Sequence, residues 1–236
     1  MRTVLTFMSI AAAFLPATLA FSGKICRIMP LGASITYGQG SSQRNGYRDD
    51  LYRLLERDGN VVNMVGNNPA VGSTFKDKDT EGWKGFTIDQ VAGKMRASMP
   101  KNRPNIVTLL VGTNDMWKRV DLPNAPARLG KLIDGVLNFP PLTMVIVSSL
   151  PPNSDAKMQA RINSYNAALP GVVQKRAKAG KWVLFADCGK TVKVSDLVDG
   201  THPNDAGYER IGRCFYDAIV AGEKKGWVSR VQGSAP

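Results

Sequence analysis

Histidine is almost absent from this chain of 236 residues, whose one histidine is His202. Zinc sites that combine several His and Cys ligands at fixed spacing are therefore not expected, and the carboxylates do not cluster in their place. The Walker phosphate-binding pattern and the Gly-x-Ser-x-Gly elbow are also missing. Gln43 stands where a dinucleotide-binding loop beginning at Gly38 needs its third glycine. We predict no metal site and no cofactor.

Long apolar runs are equally scarce, and the one candidate lies at the amino terminus. Arg2 precedes an apolar run at 4–15, and small residues follow it up to Ala20. The run is shorter than the roughly 20 residues that a bilayer requires, and its pattern is typical of a secretory signal peptide. We predict a signal peptide at 1–20, a single domain at 21–236, and an extracellular protein without a membrane anchor.

Cysteine is also rare, with three residues in the chain: Cys26, Cys188 and Cys214. In an oxidising extracellular environment two of them are expected to pair. We favour Cys188 with Cys214, because both lie in the C-terminal third, while the other two pairings stay open. None belongs to a Cys-x-x-Cys metal pattern, so we predict structural roles for all three.

Acidic residues are outnumbered, with 19 Asp and Glu against 31 Lys and Arg, and the formal net charge is +12. A basic surface attracts polyanions. Two interpretations stay open: attraction to an acidic glycan, and a solvated surface without a specific partner. Because no nucleic-acid-binding motif is present, we expect no nucleic-acid partner, and we predict a monomer.

Strand and helix patterns alternate along the rest of the chain. Buried-strand patterns lie at 25–31, 61–65, 105–111, 143–148 and 182–186. Helical patterns lie at 47–57, 88–98, 127–138, 158–178 and 205–221. We expect the second helix to end near Pro100, the fourth to bend or break at Pro170, and Asn204 to cap the last. The alternation predicts an α/β domain with a five-stranded parallel sheet and helices on both faces.

Polar residues follow the first, third and fifth strand patterns. Ser34 follows the first, Asn114 the third, and Asp199 and His202 the fifth. In parallel sheets the functional site lies at the carboxyl ends of the strands. Histidine is the natural general base for a serine hydroxyl near neutral pH, and a carboxylate three residues away can orient it. Each fragment alone is more often structural, but together they predict a Ser-His-Asp hydrolase.

These blocks resemble those of the SGNH (GDSL-type) hydrolase superfamily in their order along the chain and in the fold that carries them. The sequence around these blocks resembles carbohydrate esterase family three, the acetyl xylan esterase-like branch with its fungal relatives. The likeness runs from about residue 28 to 221, and it rests on the three blocks above and on Met29-Pro30-Leu31-Gly32, Gly46-Tyr47-Arg48, Glu81-Gly82 and His202-Pro203-Asn204-Asp205. It implies a three-layer α/β/α, flavodoxin-like fold.

The resemblance also implies a role for each residue. Ser34 is expected to attack an ester carbonyl, His202 to transfer the proton and Asp199 to orient His202. The oxyanion is expected to bind the Ser34 N–H, a glycine N–H and the Asn114 side chain. Gly85 is the preferred glycine, with Gly82 in reserve.

Some residues leave the interpretation open. Ala33 stands where the family usually has Asp before the following serine, which puts the rigidity of the turn in doubt. Trp83 and Phe86 either stack on a sugar ring or anchor the loop at 66–85. In that loop, alternating carboxylates at Asp77, Asp79 and Glu81 are interpreted as a solvated acidic rim or as contacts to substrate hydroxyls rather than as a calcium site.

The resemblance implies a secreted serine esterase that removes acetyl or other short acyl groups from cell-wall polysaccharide such as acetylated xylan. Its partners would be an acetylated polysaccharide or a small ester, with no membrane. Two alternatives stay open: a general short-chain or lipase-like esterase, and a non-catalytic carbohydrate-binding protein or effector on the same fold.

Overall fold

A computed structural model describes residues 22–140 and 142–231, so the predicted signal peptide at 1–20 lies outside the described residues. The strands are β1 Ile25–Gly32, β2 Val61–Met64, β3 Glu81–Gly82, β4 Ile106–Leu110, β5 Met144–Ser148 and β6 Val183–Ala186. The α-helices are α1 Ser34–Tyr37, α2 Tyr47–Arg57, α3 Ile88–Asn102, α4 Thr113–Lys118, α5 Ala125–Leu137, α6 Ala156–Lys178 and α7 Asp205–Glu223. Short 3₁₀ turns occur at Leu122–Asn124, Cys188–Thr191 and Val194–Asp196.

The strands form one parallel sheet in the order β2-β1-β4-β5-β6, and the short β3 pairs with the end of β1. The five long strands thus have the flavodoxin order, in which the chain reverses direction across the sheet between β1 and its neighbour β4. The predicted fold class is confirmed. The reversal leaves a crevice at the carboxyl ends of β1 and β4, where such folds bind ligands.

The burial pattern explains why these segments are strands. Every residue of β4 and β5 is buried, as expected for central parallel strands covered on both faces. The edge strand β2 alternates exposed and buried residues instead. Helices α2 and α7 pack together on one face, where the Tyr47 and Phe215 rings lie 4.9 Å apart, and α3, α5 and α6 cover the other.

One of the two helix predictions made from proline is confirmed and the other is wrong. Helix α3 ends near Pro100 as expected: it continues through Pro100, which lies in its last turn, to Asn102, before the left-handed Arg103. Helix α6 runs through Pro170 without interruption. The predicted cap of α7 is confirmed, since the Asn204 side chain accepts the Gly207 N–H at 3.0 Å.

The structure also settles the cysteines. Cys188 and Cys214 form the favoured disulfide, which ties the turn after β6 to α7. Cys26 in β1 is free and buried, and burial raises the pKa of its thiol to about 12. It therefore behaves as a small core residue rather than as a reactive thiol.

The acidic loop residues are not a uniform solvated rim. Glu81 is fully buried, and its carboxylate accepts hydrogen bonds from Ser98 Oγ at 2.5 Å, Trp83 Nε1 at 2.7 Å and the Asn67 N–H at 2.8 Å. Asp77 accepts the Met64 N–H at 2.7 Å. The prediction of a solvated acidic rim was therefore wrong for Glu81, which ties the long loop to α3. Glu81 lies in β3, and no sequence pattern predicts a strand of two residues that contains a charged side chain.

Candidate active site

A tight turn after β1 carries Ser34. Ser34 begins α1, and only Ala33 separates it from the end of β1. A side chain at Gly32 would collide with the Leu110 carbonyl oxygen in β4, so only glycine allows this close approach. The Ala33 carbonyl accepts the Tyr37 N–H at 3.0 Å. Backbone bonds and packing therefore hold the turn without an aspartate at position 33.

The loop between β6 and α7 brings the histidine to this serine. His202 Nε2 lies 2.9 Å from Ser34 Oγ, and His202 Nδ1 lies 2.7 Å from Asp199 Oδ2. The other Asp199 oxygen accepts the backbone N–H groups of Thr201 at 3.0 Å and His202 at 2.8 Å. With Nδ1–H donating to the carboxylate, Nε2 is free to accept the serine proton. The structure thus brings the three predicted residues together in the order that proton transfer needs.

The charge of Asp199 is favoured in this loop. Partial burial acts to raise the pKa of Asp199, but hydrogen bonds from the His202 backbone, the His202 ring and the Thr201 backbone outweigh it. The net pKa therefore lies below the ordinary value of an aspartate. An ionised Asp199 can orient the imidazole and stabilise the imidazolium ion when it forms.

Close packing fixes the histidine loop against the serine turn. The Val198 N–H donates to the His202 carbonyl at 2.9 Å, which closes the loop on itself. Gly40 lies so near that a side chain there would meet the Cβ of His202 and the Pro203 carbonyl oxygen. The predicted acid and base therefore sit in a short, internally bonded segment rather than on a long free loop.

Asn114 and Gly85 lie on the same cavity as the serine. Asn114 is in the first turn of α4, and its Nδ2 donates one hydrogen bond to the Phe86 carbonyl at 2.9 Å, which leaves a second N–H for a ligand. Among the described residues, the backbone N–H groups of Ser34 and Gly85 have no hydrogen-bond partner. These three donors are of the kind that binds an oxyanion.

The two candidate glycines differ clearly. Gly85 has φ of +76°, lines the cavity, and would have nothing within 4 Å of an added Cβ. Gly82 lies in β3, where an added Cβ would be 2.5 Å from the Tyr37 backbone nitrogen. The geometry therefore brings Gly85 to the site, while Gly82 is required by packing.

A buried ion pair lies directly behind Asn114. Asp115 is fully buried, and its carboxylate accepts Arg128 Nη1 at 2.7 Å and the Ile88 N–H at 3.0 Å. Burial raises the pKa of Asp115 more than these partners lower it. The pair joins the starts of α3 and α4 to α5, and so fixes the helix that presents Asn114.

The site opens into a cavity of about 360 Å³. Trp117 and Met158 are its apolar side chains, and the full lining consists of Ser34, Gln39, Gly85, Thr113, Asn114, Trp117, Met158, Thr201 and His202. Sequence reasoning missed Trp117. The available signal was its spacing, since residues three apart on a helix share a face and Asn114 is three residues earlier.

Trp83 and Phe86, the aromatic pair singled out in the sequence, are not among the residues that line the active-site cavity. The Trp83 and Phe86 rings stack on each other with centroids 5.7 Å apart, and Lys94 Nζ lies 4.0 Å from the Trp83 centroid. With Glu81 accepting the indole N–H as well, Trp83 has its faces and its donor occupied. The interpretation as loop anchors is favoured over the sugar platform.

The part of the chain that the structure describes contains neither a metal-binding cluster nor a membrane-spanning helix. No group of three or more His, Cys, Asp and Glu side chains in 22–140 and 142–231 is placed to hold a metal ion. Within the same residues, no helix combines the length and the apolar character that a membrane span requires.

Comparison with known proteins places the chain in a family. The GDSL-like lipase/acylhydrolase family profile matches residues 31–210. A multidomain esterase of Ruminococcus flavefaciens is 30% identical over 219 residues, and a putative endoglucanase X of Acetivibrio thermocellus is 30% identical over 143. These matches cover 82% and 57% of this chain but only 28% and 58% of those proteins, so the chain spans a part of each relative.

A solved structure gives the same answer. The family 3 carbohydrate esterase of Clostridium thermocellum is 32% identical, with a TM-score of 0.75 over 85% of this chain and 98% of that one. The resemblance inferred from the sequence blocks is confirmed for the superfamily and for the carbohydrate esterase branch. The chain therefore belongs to the GDSL-like lipase/acylhydrolase family.

Proposed function

We propose that this protein is a serine esterase that removes acetyl or other short acyl groups from cell-wall polysaccharide such as acetylated xylan. The observation that carries the proposal is the unbroken chain of hydrogen bonds from Asp199 through His202 to Ser34, which ends in an open cavity. A binding protein would not need an acid, a base and a nucleophile aligned in this order.

In the acylation step, Ser34 Oγ attacks the carbonyl carbon of the ester while His202 Nε2 takes its proton. The carbonyl electrons move to the oxygen, which the N–H groups of Ser34, Gly85 and Asn114 stabilise as an oxyanion. Collapse of this intermediate breaks the carbon–oxygen bond to the alcohol, which leaves with the proton from His202. Asp199 keeps the imidazole in the required tautomer and stabilises its positive charge.

In the deacylation step, water takes the place of the alcohol. His202 accepts a proton from water as its oxygen attacks the acyl-serine, and the same donors hold the second oxyanion. Collapse returns the proton to Ser34 and releases the carboxylic acid. Loss of one oxyanion donor typically costs about 3–4 kcal/mol of transition-state stabilisation.

The size of the cavity supports a short acyl group. Its volume of about 360 Å³ lies near the lower end of the roughly 300–1,000 Å³ that small-molecule sites occupy. A long alkyl chain would need a longer apolar channel to leave water favourably. The names of the matched proteins, an esterase and a family 3 carbohydrate esterase, support a carbohydrate ester.

Secretion is part of the proposal and rests on the sequence at 1–20. The disulfide between Cys188 and Cys214 supports an oxidising location, since such bonds are rare in the cytosol. Sequencing the amino terminus of the protein recovered from culture medium would test it. A mature chain that begins near residue 21 supports secretion, and an intact chain retained in cells contradicts it.

Hydrolysis of p-nitrophenyl acetate by the purified chain is the test of the esterase. Wild type should turn over, while Ser34→Ala and His202→Ala should fall to background with unchanged circular dichroism. Release of acetate from acetylated xylan then tests the substrate. If the folded wild type hydrolyses neither substrate faster than the two variants do, the esterase proposal is contradicted and a non-catalytic carbohydrate-binding protein is favoured.

A further inference from the structure

Trp117 is exposed at the edge of the active-site cavity. Its exposed fraction is 65%, and among the described residues no other Trp, Tyr or Phe is classed as exposed. The preceding residue, Met116, is only 2% exposed, so α4 has a buried side to which Trp117 does not contribute. A large aromatic ring left in water forgoes considerable burial, and such rings are enriched where proteins bind ligands.

The Trp117 side chain also lines a second cavity. It has a volume of about 410 Å³, and it shares Trp117, Met158 and Thr201 with the active-site cavity. Each cavity by itself lies near the lower end of the roughly 300–1,000 Å³ that small-molecule sites occupy. The shared residues make the two cavities adjoining parts of one groove, with Trp117 between them.

We propose that this groove binds a chain of neutral sugars, with the acetylated ring at Ser34 and the adjacent ring stacked on Trp117. The inference rests on the proposed function, because the ester must lie at the serine. A sugar ring has a weakly apolar face and a polar edge, so an aromatic platform beside a polar cavity suits it better than it suits a purely apolar or a purely charged ligand.

The charges of the second cavity favour a neutral ligand. Arg119 and Arg161 oppose Asp155 and Asp199, so the formal charges balance. Asp155 is already engaged as the cap of α6 at 2.7 Å from the Met158 nitrogen, and Arg161 Nε donates to the Met116 carbonyl at 2.7 Å. An acidic glycan, if the basic surface attracts one, would find no net positive charge at this place.

A lipid chain fits the second cavity poorly. Beyond Trp117 and Met158 its lining is polar or charged, with Asn153, Ser154 and the four charged residues named above. Placing an alkyl chain there would desolvate these groups without giving them hydrogen bonds, which is unfavourable. Sugar hydroxyls would replace the lost water contacts instead.

The test is the selectivity for substrate length. We would compare kcat/KM on singly acetylated xylotetraose with kcat/KM on singly acetylated xylose, and take the ratio for each variant. Trp117→Leu should lower the ratio about tenfold, a loss common when a binding-site Trp is truncated, and Trp117→Phe should retain most of it. Arg119→Asn, which suits the left-handed backbone at φ of +56°, should lower the ratio by a smaller factor.

Leu142→Ala is the matched control, since Leu142 is 64% exposed and lies before the amino end of β5, opposite the site. If Trp117→Leu left this kcat/KM ratio unchanged, the proposal that the groove binds a sugar chain would be overturned. A larger effect of Trp117→Leu on p-nitrophenyl hexanoate than on the acetate would assign the ring to an acyl chain and also overturn it. If wild type hydrolyses neither the acetylated sugars nor p-nitrophenyl acetate, the proposed function itself has failed.

Discussion

Two aspartates near the site, Asp199 and Asp115, show how differently one fold uses the same side chain. The Asp199 side chain is 49% exposed and bonds to His202 within its own loop. The Asp115 side chain is fully buried and bonds to Arg128 and to the backbone of another helix. The pKa of Asp199 is lowered by its hydrogen bonds, whereas burial raises the pKa of Asp115.

From this difference we expect Asp199 to act in the reaction and Asp115 to stabilise the fold. Asp199 can be lost without leaving a buried charge, so its removal should affect the reaction and spare the fold. Asp115 cannot, because Arg128 would lose its buried partner and keep only the exposed Asp89 carboxylate and the Val120 carbonyl. Exposure, rather than distance from the serine, therefore predicts which carboxylate matters for turnover and which for stability.

The largest expected effect is on turnover in Asp199→Asn. The amide cannot hold the tautomer that leaves Nε2 free, so kcat on p-nitrophenyl acetate should fall by roughly 10⁴-fold. The free energy of unfolding should change by less than about 1 kcal/mol, because the lost pair is half exposed. Steady-state kinetics and urea denaturation measure the two quantities. A loss of kcat below tenfold would remove Asp199 from the mechanism.

The next effect is on stability in Asp115→Asn. Breaking a buried ion pair typically costs about 3–5 kcal/mol, so the midpoint of urea denaturation should fall clearly. Asp134→Asn is the matched control, because Asp134 pairs with Arg176 but is 51% exposed, and it should cost less than about 1 kcal/mol. Equal stabilities of the two variants would contradict the structural role of Asp115.

The two glycines repeat the contrast on a smaller scale. Gly82→Ala forces a side chain against the Tyr37 backbone and should destabilise by about 1–3 kcal/mol. Gly85→Ala meets no atoms but strains the backbone at a positive φ, by about 1–2 kcal/mol. Its Cβ would point toward the space of the acyl group, so Gly85→Ala should lower kcat more than Gly82→Ala. The reverse order would place Gly82 in the oxyanion site.

The smallest effect is the pH dependence of stability, and its sign differs between the aspartates. Asp199 has a lowered pKa in the folded state. The stability that its carboxylate contributes is therefore present above the ordinary pKa of a carboxyl group, and it is lost as the pH falls through the pKa of the folded state. Asp115 has a raised pKa, so protonation favours the folded state as the pH falls. Urea denaturation between pH 3 and 7 should show the deficit of Asp199→Asn shrinking in acid and that of Asp115→Asn growing. If the deficits of both variants changed in the same direction with pH, the opposite pKa shifts of Asp199 and Asp115 would be contradicted.

Sequence reasoning worked where a local pattern has one physical outcome. Apolar runs such as that of β4 form buried strands, and Asn204 before a helical pattern forms a cap. It failed where long-range packing decides. Pro170 does not interrupt α6, in which the flanking Leu169 and Val173 are buried against the rest of the fold.

The site divides in the same way. The order of the Ser34, Asn114 and His202 blocks along the chain already predicts that they meet at one edge of a parallel sheet, since the carboxyl ends of such strands share an edge. The family resemblance favoured Gly85 over Gly82, but nothing local distinguishes the buried Glu81 from a solvated one, because the difference depends on which residues pack against it. Trp117 has one local signal, its spacing from Asn114. Its exposure and the two cavities that it lines depend on residues of α6 and of the histidine loop, which only the folded chain brings beside α4.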